Sequence, residues 1–417
     1  MINNRIFKPL PGKIVFSSLF IALIVYTIPY LAGNILKNHT LNLVGAICFF
    51  CIILFSNLKR IWSNFRLDKI AIVGLIMISL PAILICYGLM TNDWSIDMRD
   101  FSKHVGLILF FLLFRALAIP PPYLFPNRRN YIYLFVFMII ISFLLPESQV
   151  LDDTRVSGIG VNANSFALTI IPLLLFVSPT DNSKFKSLIH FLVVIALLKS
   201  KTLGALLGYV AGLLYLVSTP FGKRSNIAHR KRIGLISLLL VVGVTIFYIQ
   251  VGDSSLSERA RKQIELFRTI GYDTLQNVPV NYDLLSKEYG GSALSGIWRL
   301  EHWTQIMTGI NQSSLFHKLF GNGFRYSDMT YDAMPHNEYL RYLLEQGIFG
   351  LFLLILLYIH IYRKLPYNIR YIYVIYFVFS FSENNMSNLY AVALFMLAAS
   401  SSKKYWVKFP YCQQNRV

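Results

Sequence analysis

Runs of apolar residues, each about as long as a bilayer is thick, recur along almost the whole chain and leave few folds open. A helix needs roughly 20 such residues to cross the hydrocarbon core, within a range of about 17–25. Runs near that length lie at 14–32, 41–57, 69–89, 104–119, 130–146, 164–179, 186–200, 203–219 and 233–250. A long polar stretch, 251–346, follows, and then 347–362, 367–382 and 386–402. The expected fold is an all-α polytopic membrane protein of about twelve transmembrane helices, with one large loop carrying short helices. The pair 186–200 and 203–219 also reads as one hairpin around a short turn. The first run lacks a small-residue cleavage site, so it is expected to be the first span and not a signal peptide.

Charge agrees. Only 14% of the 417 residues are charged and 55% are hydrophobic, against roughly 25% charged in a soluble domain. Disorder, coiled coil, collagen and a disulfide scaffold are excluded. The net charge of +19 would suggest nucleic acid in a soluble protein. Here its placement decides. Arg5, Lys8 and Lys13 precede span 1, and Lys59, Arg60 and Arg66 follow span 2. Arg128 and Arg129 follow span 4, Lys184 and Lys186 follow span 6, and Lys223, Arg224, Arg230, Lys231 and Arg232 follow span 8. Arg363, Lys364 and Arg370 follow span 10, and Lys403, Lys404 and Lys408 follow span 12. With twelve spans all of these share one side. The other side carries Asp93, Asp97 and Asp100, then Glu147, Asp152 and Asp153, then the long loop. The positive-inside rule therefore expects both termini in the cytoplasm and the long loop outside. The expected organisation is N-terminal membrane helices over 1–150, central ones over 151–250, the loop over 251–346, and C-terminal helices with a cytoplasmic tail over 347–417. Cys48 and Cys51 form a C-x-x-C within an apolar run with no other Cys or His nearby, which favours packing over metal or redox use.

Four stretches on the outer side depart from membrane filler. Asp152-Asp153-Thr154-Arg155 leads through Gly158, Gly160, Asn162 and Asn164 into span 6; it reads as a turn, with Arg155 either a site residue or a headgroup anchor. Lys199-Ser200-Lys201-Thr202 puts two lysines against the charge trend. Either they bind an anionic group or the span count is off by one hairpin. Gly296-Ile297-Trp298-Arg299 opens an amphipathic helix in which Leu300, Trp303, Ile306, Met307 and Ile310 recur at helical spacing. Arg299 is expected in its first turn, where a cation is disfavoured unless an anion is bound. Gly321-Asn322-Gly323 marks a tight turn, and Ser255-x-x-Glu258 marks the start of a surface helix over 255–270. Last comes Pro335-His336-Asn337, with a helix start at His336 and glycines at 347 and 350 that permit close backbone approach.

Three cations, Arg155, Lys201 and Arg299, and one imidazole, His336, then converge on the outer membrane face. Cations at headgroup level suit a phosphate or pyrophosphate lipid. Histidine titrates near neutral pH and suits general-base work, although a cationic histidine binding pyrophosphate is the competing role. Together they suit transfer of a group off a lipid pyrophosphate. Stabilising the departing phosphate in a dry site is worth on the order of 3–4 kcal/mol per donor. No carboxylate pair reads as a metal site; Asp152-Asp153 is the only adjacent Asp pair.

His336-Asn337, nine residues, then Gly347-Ile348-Phe349-Gly350 resembles the His-[Asn/Ser/Gln]-x9-Gly-x-x-Gly motif of the O-antigen ligase and O-antigen polymerase family of bacterial inner membranes. Arg155-x-x-Gly158 with Asn162-x-Asn164 is similar to the family's stretch before a mid-chain span. Arg299 with Trp303 and Gly321-x-Gly323 looks like its arginine helix, and Ser200-Lys201-Thr202 resembles a Ser-Arg-Gly/Ala turn with Lys in place of Arg. The resemblance covers about residues 150–400. It implies a metal-independent, cofactor-free, inverting transfer of a glycan from undecaprenyl pyrophosphate to an acceptor sugar hydroxyl at the periplasmic face of the inner membrane. The expected catalytic residues are His336, Arg299 and Arg155. The expected substrate-binding residues are Lys201, Asn162, Asn164, Asn337, Trp303, Gly347 and Gly350. The expected partners are the lipid-linked donor, a lipid A–core or lipid-linked acceptor, and membrane lipids, with no nucleic acid. The twelve-span layout with one dominant loop favours ligation to lipid A–core over repeat-unit polymerisation. A flippase or other transporter would need ionisable or broken-helix residues at the bilayer midplane, and the span interiors are almost bare of charge.

Overall fold

The computed structural model describes residues 24–29, 32–33, 36, 39–65, 67, 69–91, 95, 97–117, 148–150, 153–155, 163–177, 183–218, 291–331, 333–365 and 370–384, with isolated positions at 133, 136–137, 139–140, 143, 242–243, 261–262, 264–266, 268, 285, 287 and 392. Within these, the helices are α1 (His39–Asn64), α2 (Lys69–Thr91), α3 (Met98–Leu117), α4 (Ala163–Val177), α5 (Ser183–Lys199), α6 (Leu203–Ser218), α7 (Gly291–Gln312), α8 (Leu315–Phe320), α9 (Tyr326–Tyr331), α10 (Glu338–Lys364) and α11 (Arg370–Phe379). The apolar runs expected at 41–57, 69–89, 104–119, 164–179, 186–200, 203–219, 347–362 and 367–382 fall on α1 to α6, α10 and α11. Two stretches, Ala71–Thr91 and Glu338–Arg363, are long and apolar enough to cross a membrane; Val44–Lys59, Leu188–Lys199, Leu203–Ser218 and Arg370–Phe379 are shorter apolar helices. The runs at 233–250 and 386–402 lie almost entirely outside the described residues.

Two details differ from the sequence reading. The all-α expectation needs a small exception: Ser148–Val150 (β1) and Asp153–Arg155 (β2) pair antiparallel, with Ser148 opposite Arg155. And α10 does not begin at the expected span. It starts at Glu338 and runs through the 346/347 boundary, with a break in helical geometry at Gly347 (φ 67°, ψ −171°). The polar end of the long loop and the apolar span are one element.

The main buried cluster among the described residues is one in which Phe49, Phe166, Tyr209, Leu354, Tyr358, Tyr376 and Phe379 are almost wholly buried. Its closest helix pair is α6 with α11. Gly208 and Gly212 allow this: a Cβ at either would lie 2.7 Å from a backbone carbonyl of α11, that of Ile375 or of Tyr371. Without Cβ atoms, the backbones close to a distance that larger residues would prevent. The pair carries the end of α11 to the start of α6, so Gly204 abuts Ser382. The Glu338 N–H donates to the Ser380 carbonyl at 2.9 Å, which ties the start of α10 to the same end. The start of α3 joins them through Arg341 and Asp100, 3.1 Å apart. Polar groups from distant parts of the chain thus meet at one end of the bundle.

Candidate active site

The site is built on α7. Leu294 and Ile297 of this helix bury against Leu266, and Ile306 and Ile310 bury against Leu340 and Leu344 of α10. Met307, expected on the same face, is exposed. Between the two apolar patches, Trp298, Arg299, His302 and Trp303 serve the segment that leads into α10. The helix begins at Gly291, so Arg299 sits in its third turn and not its first. Its placement owes nothing to the helix terminus, and the dipole argument for a bound anion falls away.

The segment before α10 is held from several directions. His302 Nε2 donates to the Ala333 carbonyl at 3.1 Å, and the Trp303 indole N–H donates to the Pro335 carbonyl. Trp298 stacks on His302 with ring centroids 4.9 Å apart and presents an edge contact to His336 at 5.8 Å. Burial pushes the His302 imidazole below its ordinary range and outweighs the bond to Ala333; the charge of His336 pushes the same way. His302 is therefore a neutral support. The Asn337 side chain accepts from the Tyr339 and Leu340 N–H groups, at 3.1 Å each, and caps α10. With the chain clamped on both sides, His336 takes φ +46°. A non-glycine residue in that left-handed region costs about 1–2 kcal/mol. Such strain persists only where the surroundings over-determine it. Lys201 shares this backbone state at φ +51° and is buried.

One residue that the sequence reading passed over organises the cluster. Glu383, in the turn after α11, has a side chain only 12% exposed, and its Oε1 lies 3.2 Å from His336 Nδ1. Its Oε2 accepts from the Asn164 amide at the start of α4. Burial alone would raise its carboxyl, but the His336 hydrogen bond and charge, and then the Arg299 guanidinium, hold it below the ordinary carboxylate range. Four elements thus contribute: Arg299 from α7, His336 from the entry to α10, Glu383 from the end of α11 and Asn164 from α4. Lys201 lies in the α5–α6 turn, one step from the Gly204–Ser382 contact.

Other expected site residues have a different place. Arg155 ends β2, and its side chain, like all of Asn162, lies outside the described residues. Gly347 and Gly350 serve packing. Gly347 has φ +67°, and its Cα faces the Leu319 carbonyl and the Gly321 N–H; a Cβ at Gly350 would strike the Gln346 side chain. The Gly321-Asn322-Gly323 turn docks there, with Asn322 N–H donating to the Leu344 carbonyl and Gly323 N–H to the Glu345 carbonyl, each at 3.0 Å. On its other side Gly323 forms a bridge with Ser95.

A second charged cluster lies deeper along α10. Arg341 donates to Asp100 at 3.1 Å and to Glu345 at 3.0 Å; Lys103 also reaches Asp100, at 2.9 Å, and Ser327 donates to Glu345 at 3.2 Å. His104 Nε2 donates to the Met77 carbonyl at 2.8 Å. Asp100, Lys103, His104, Arg341 and Glu345, with Glu338 and Gln346, line a cavity of about 30 Å³, room for a water molecule or two. Buried charges paired in this way brace a fold.

Residues 188–355 match the family model described as O-Antigen ligase. Over this region the chain is similar to the O-antigen ligase family. The matched stretch runs from α5 through most of α10 and holds Lys201, Arg299, Trp303, His336, Asn337, Gly347 and Gly350. Asn164 and Glu383 fall outside it. The likeness supports, at the general level, an enzyme of O-antigen ligation or of the related polymerisation. A search of curated proteins finds no match to the chain.

Proposed function

We propose that the protein transfers a glycan from an undecaprenyl-pyrophosphate carrier to the hydroxyl of an acceptor sugar at the periplasmic face of the bacterial inner membrane, and that the acceptor is lipid A–core. The observation that carries this reading is the half-exposed His336 ring, held in a strained backbone against Glu383, which Arg299 also influences, where four elements meet. His336 Nε2 takes the proton of the acceptor hydroxyl. The hydroxyl oxygen attacks the anomeric carbon from the face opposite the pyrophosphate. The anomeric C–O bond breaks, its electron pair goes to the pyrophosphate oxygen, and the configuration inverts. Arg299 and Arg155 receive the charge that develops on the leaving group, with Lys201 in support. No step calls for a metal or a cofactor. The polymerase alternative uses the same donor chemistry and differs only in the acceptor.

The test is transfer by the purified full-length protein from a lipid-pyrophosphate glycan. His336→Ala should lower turnover by about 10²–10⁴-fold, the range of general-base contributions, and Arg299→Lys should also hurt, because lysine lacks the planar fork. Turnover that falls as pH rises from about 6 to 8, with the fall absent in His336→Gln, would exclude the base and favour a cationic binder. Lipid A–core bearing no O-chain in a deletion strain, with long lipid-linked polymer accumulated, indicates ligation. Core bearing a single repeat indicates polymerisation.

A further inference from the structure

We infer that Glu383 is the positioning residue of His336, and that Asn164 acts through Glu383 and not on the substrate. This rests on His336 as the base. The reasoning starts from the tautomer. A neutral imidazole carries its proton on either nitrogen, and only the bare nitrogen can act as a base. An ionised carboxylate can only accept. With Glu383 Oε1 at 3.2 Å, His336 Nδ1 must carry the hydrogen, and Nε2 is left with its lone pair on the side away from Glu383.

The carboxylate is itself fixed. Oε1 also accepts from the Asn384 N–H at 3.3 Å, and Oε2 accepts from Asn164. A carboxylate held at both oxygens cannot turn away, so the ring cannot flip without losing its partner. The groups facing His336 are Glu383 from the α11 turn, Arg299 and His302 from α7, and Trp298 at its edge. His302 is neutral, so the balance of charge lies between Glu383 and Arg299. When the acceptor proton arrives at Nε2, the imidazolium keeps its Nδ1–H on Glu383. Arg299 favours the ionised carboxylate, so the proton stays on the ring while the pyrophosphate departs. Asn164, placed on the substrate by the sequence, is assigned instead to the carboxylate.

A merely structural Glu383, tying α11 to α4 and to the α10 entry, would leave a different kinetic record. The measurements are kcat at saturating donor, donor KM and melting temperature for the full-length protein in detergent. Glu383→Gln should lower kcat about 10²–10³-fold with donor KM within about threefold, and Glu383→Asp should recover part of the loss. In a His336→Ala background, Glu383→Gln should cost nothing further, because residues that act as a unit are not additive. Full kcat in Glu383→Gln together with an inactive His336→Ala overturns the positioning role and leaves the base standing. A fully active His336→Ala removes the base instead. An added loss in the double variant shows that Glu383 acts independently and overturns the inference. If Glu383→Gln melts more than about 10 °C lower, Asn164→Ala decides. It should lower kcat about tenfold, as loss of an outer partner to an oriented histidine does; unchanged kcat there overturns the inference.

Discussion

The first turns of α10 face two charged clusters, and the two are built to opposite plans. Around Arg341 the charges are answered: two buried carboxylates, a partly exposed lysine and a serine hydroxyl close the network within 2.9–3.2 Å. Around His336, a few residues earlier, the imidazole is 37% exposed, its backbone is strained, and its single carboxylate partner is held from behind. The first arrangement pairs its charges with one another. The second leaves one imidazole nitrogen on the side away from the carboxylate.

Substitutions should separate the two plans. The largest effect on folding is expected at Arg341. Arg341→Ala strands Asp100 and Glu345 in the interior, and breaking a buried pair this way costs about 3–5 kcal/mol. A melting curve in detergent should show the loss, and a melting temperature close to that of the natural protein would mean the network is not a brace. His336→Ala should melt almost normally while losing turnover.

A smaller effect is expected at Asn337. Removing the cap with Asn337→Ala should cost about 1 kcal/mol, whereas Asn337→Ser should restore most of it. A loss of turnover with unchanged melting would instead return Asn337 to the substrate, where the sequence first placed it.

The smallest effect is one of pH. The Glu383 carboxyl is held below its ordinary range, so its stabilising contribution is complete above the unfolded carboxylate value of about 4.3. It is lost as pH falls through the lower folded value. The melting temperatures of the natural protein and of Glu383→Gln should therefore differ at neutral pH and draw together in acid. A gap that persists at low pH would show that the carboxylate is not the stabilising form.

Most of the helical scaffold could be read from apolar run length, because a long apolar run is a strong signal even without periodicity: α1, α2, α3, α4, α5, α6 and α11 lie where the runs place them. His336, Asn337 and Gly347 were legible as a spaced motif. Three things were not. The start of α7 was read at Gly296 because glycines resemble breaks, but Leu294 and Ile297 bury on one face and carry the helix back to Gly291. Glu383 sits in a polar turn between two apolar runs, where an acidic residue carries no local signal. Its partners His336 and Asn164 are 47 and 219 residues away in sequence. The Asp100–Arg341 pair spans 241 residues and exists only once the chain has folded.

The spacing within the motif has a mechanical meaning. Between the cap at Asn337 and the break at Gly347 lie nine helical residues, about two and a half turns and some 13.5 Å of rise. One end is clamped to α7 through Trp303 and His302, and the other rests against the end of α8 at Leu319 and Gly321. The segment is a strut cut to the distance between two fixed footings. An insertion of one residue would lengthen it by about 1.5 Å and rotate one footing by about 100° against the other. Either the histidine would leave its carboxylate or the glycine would leave its seat.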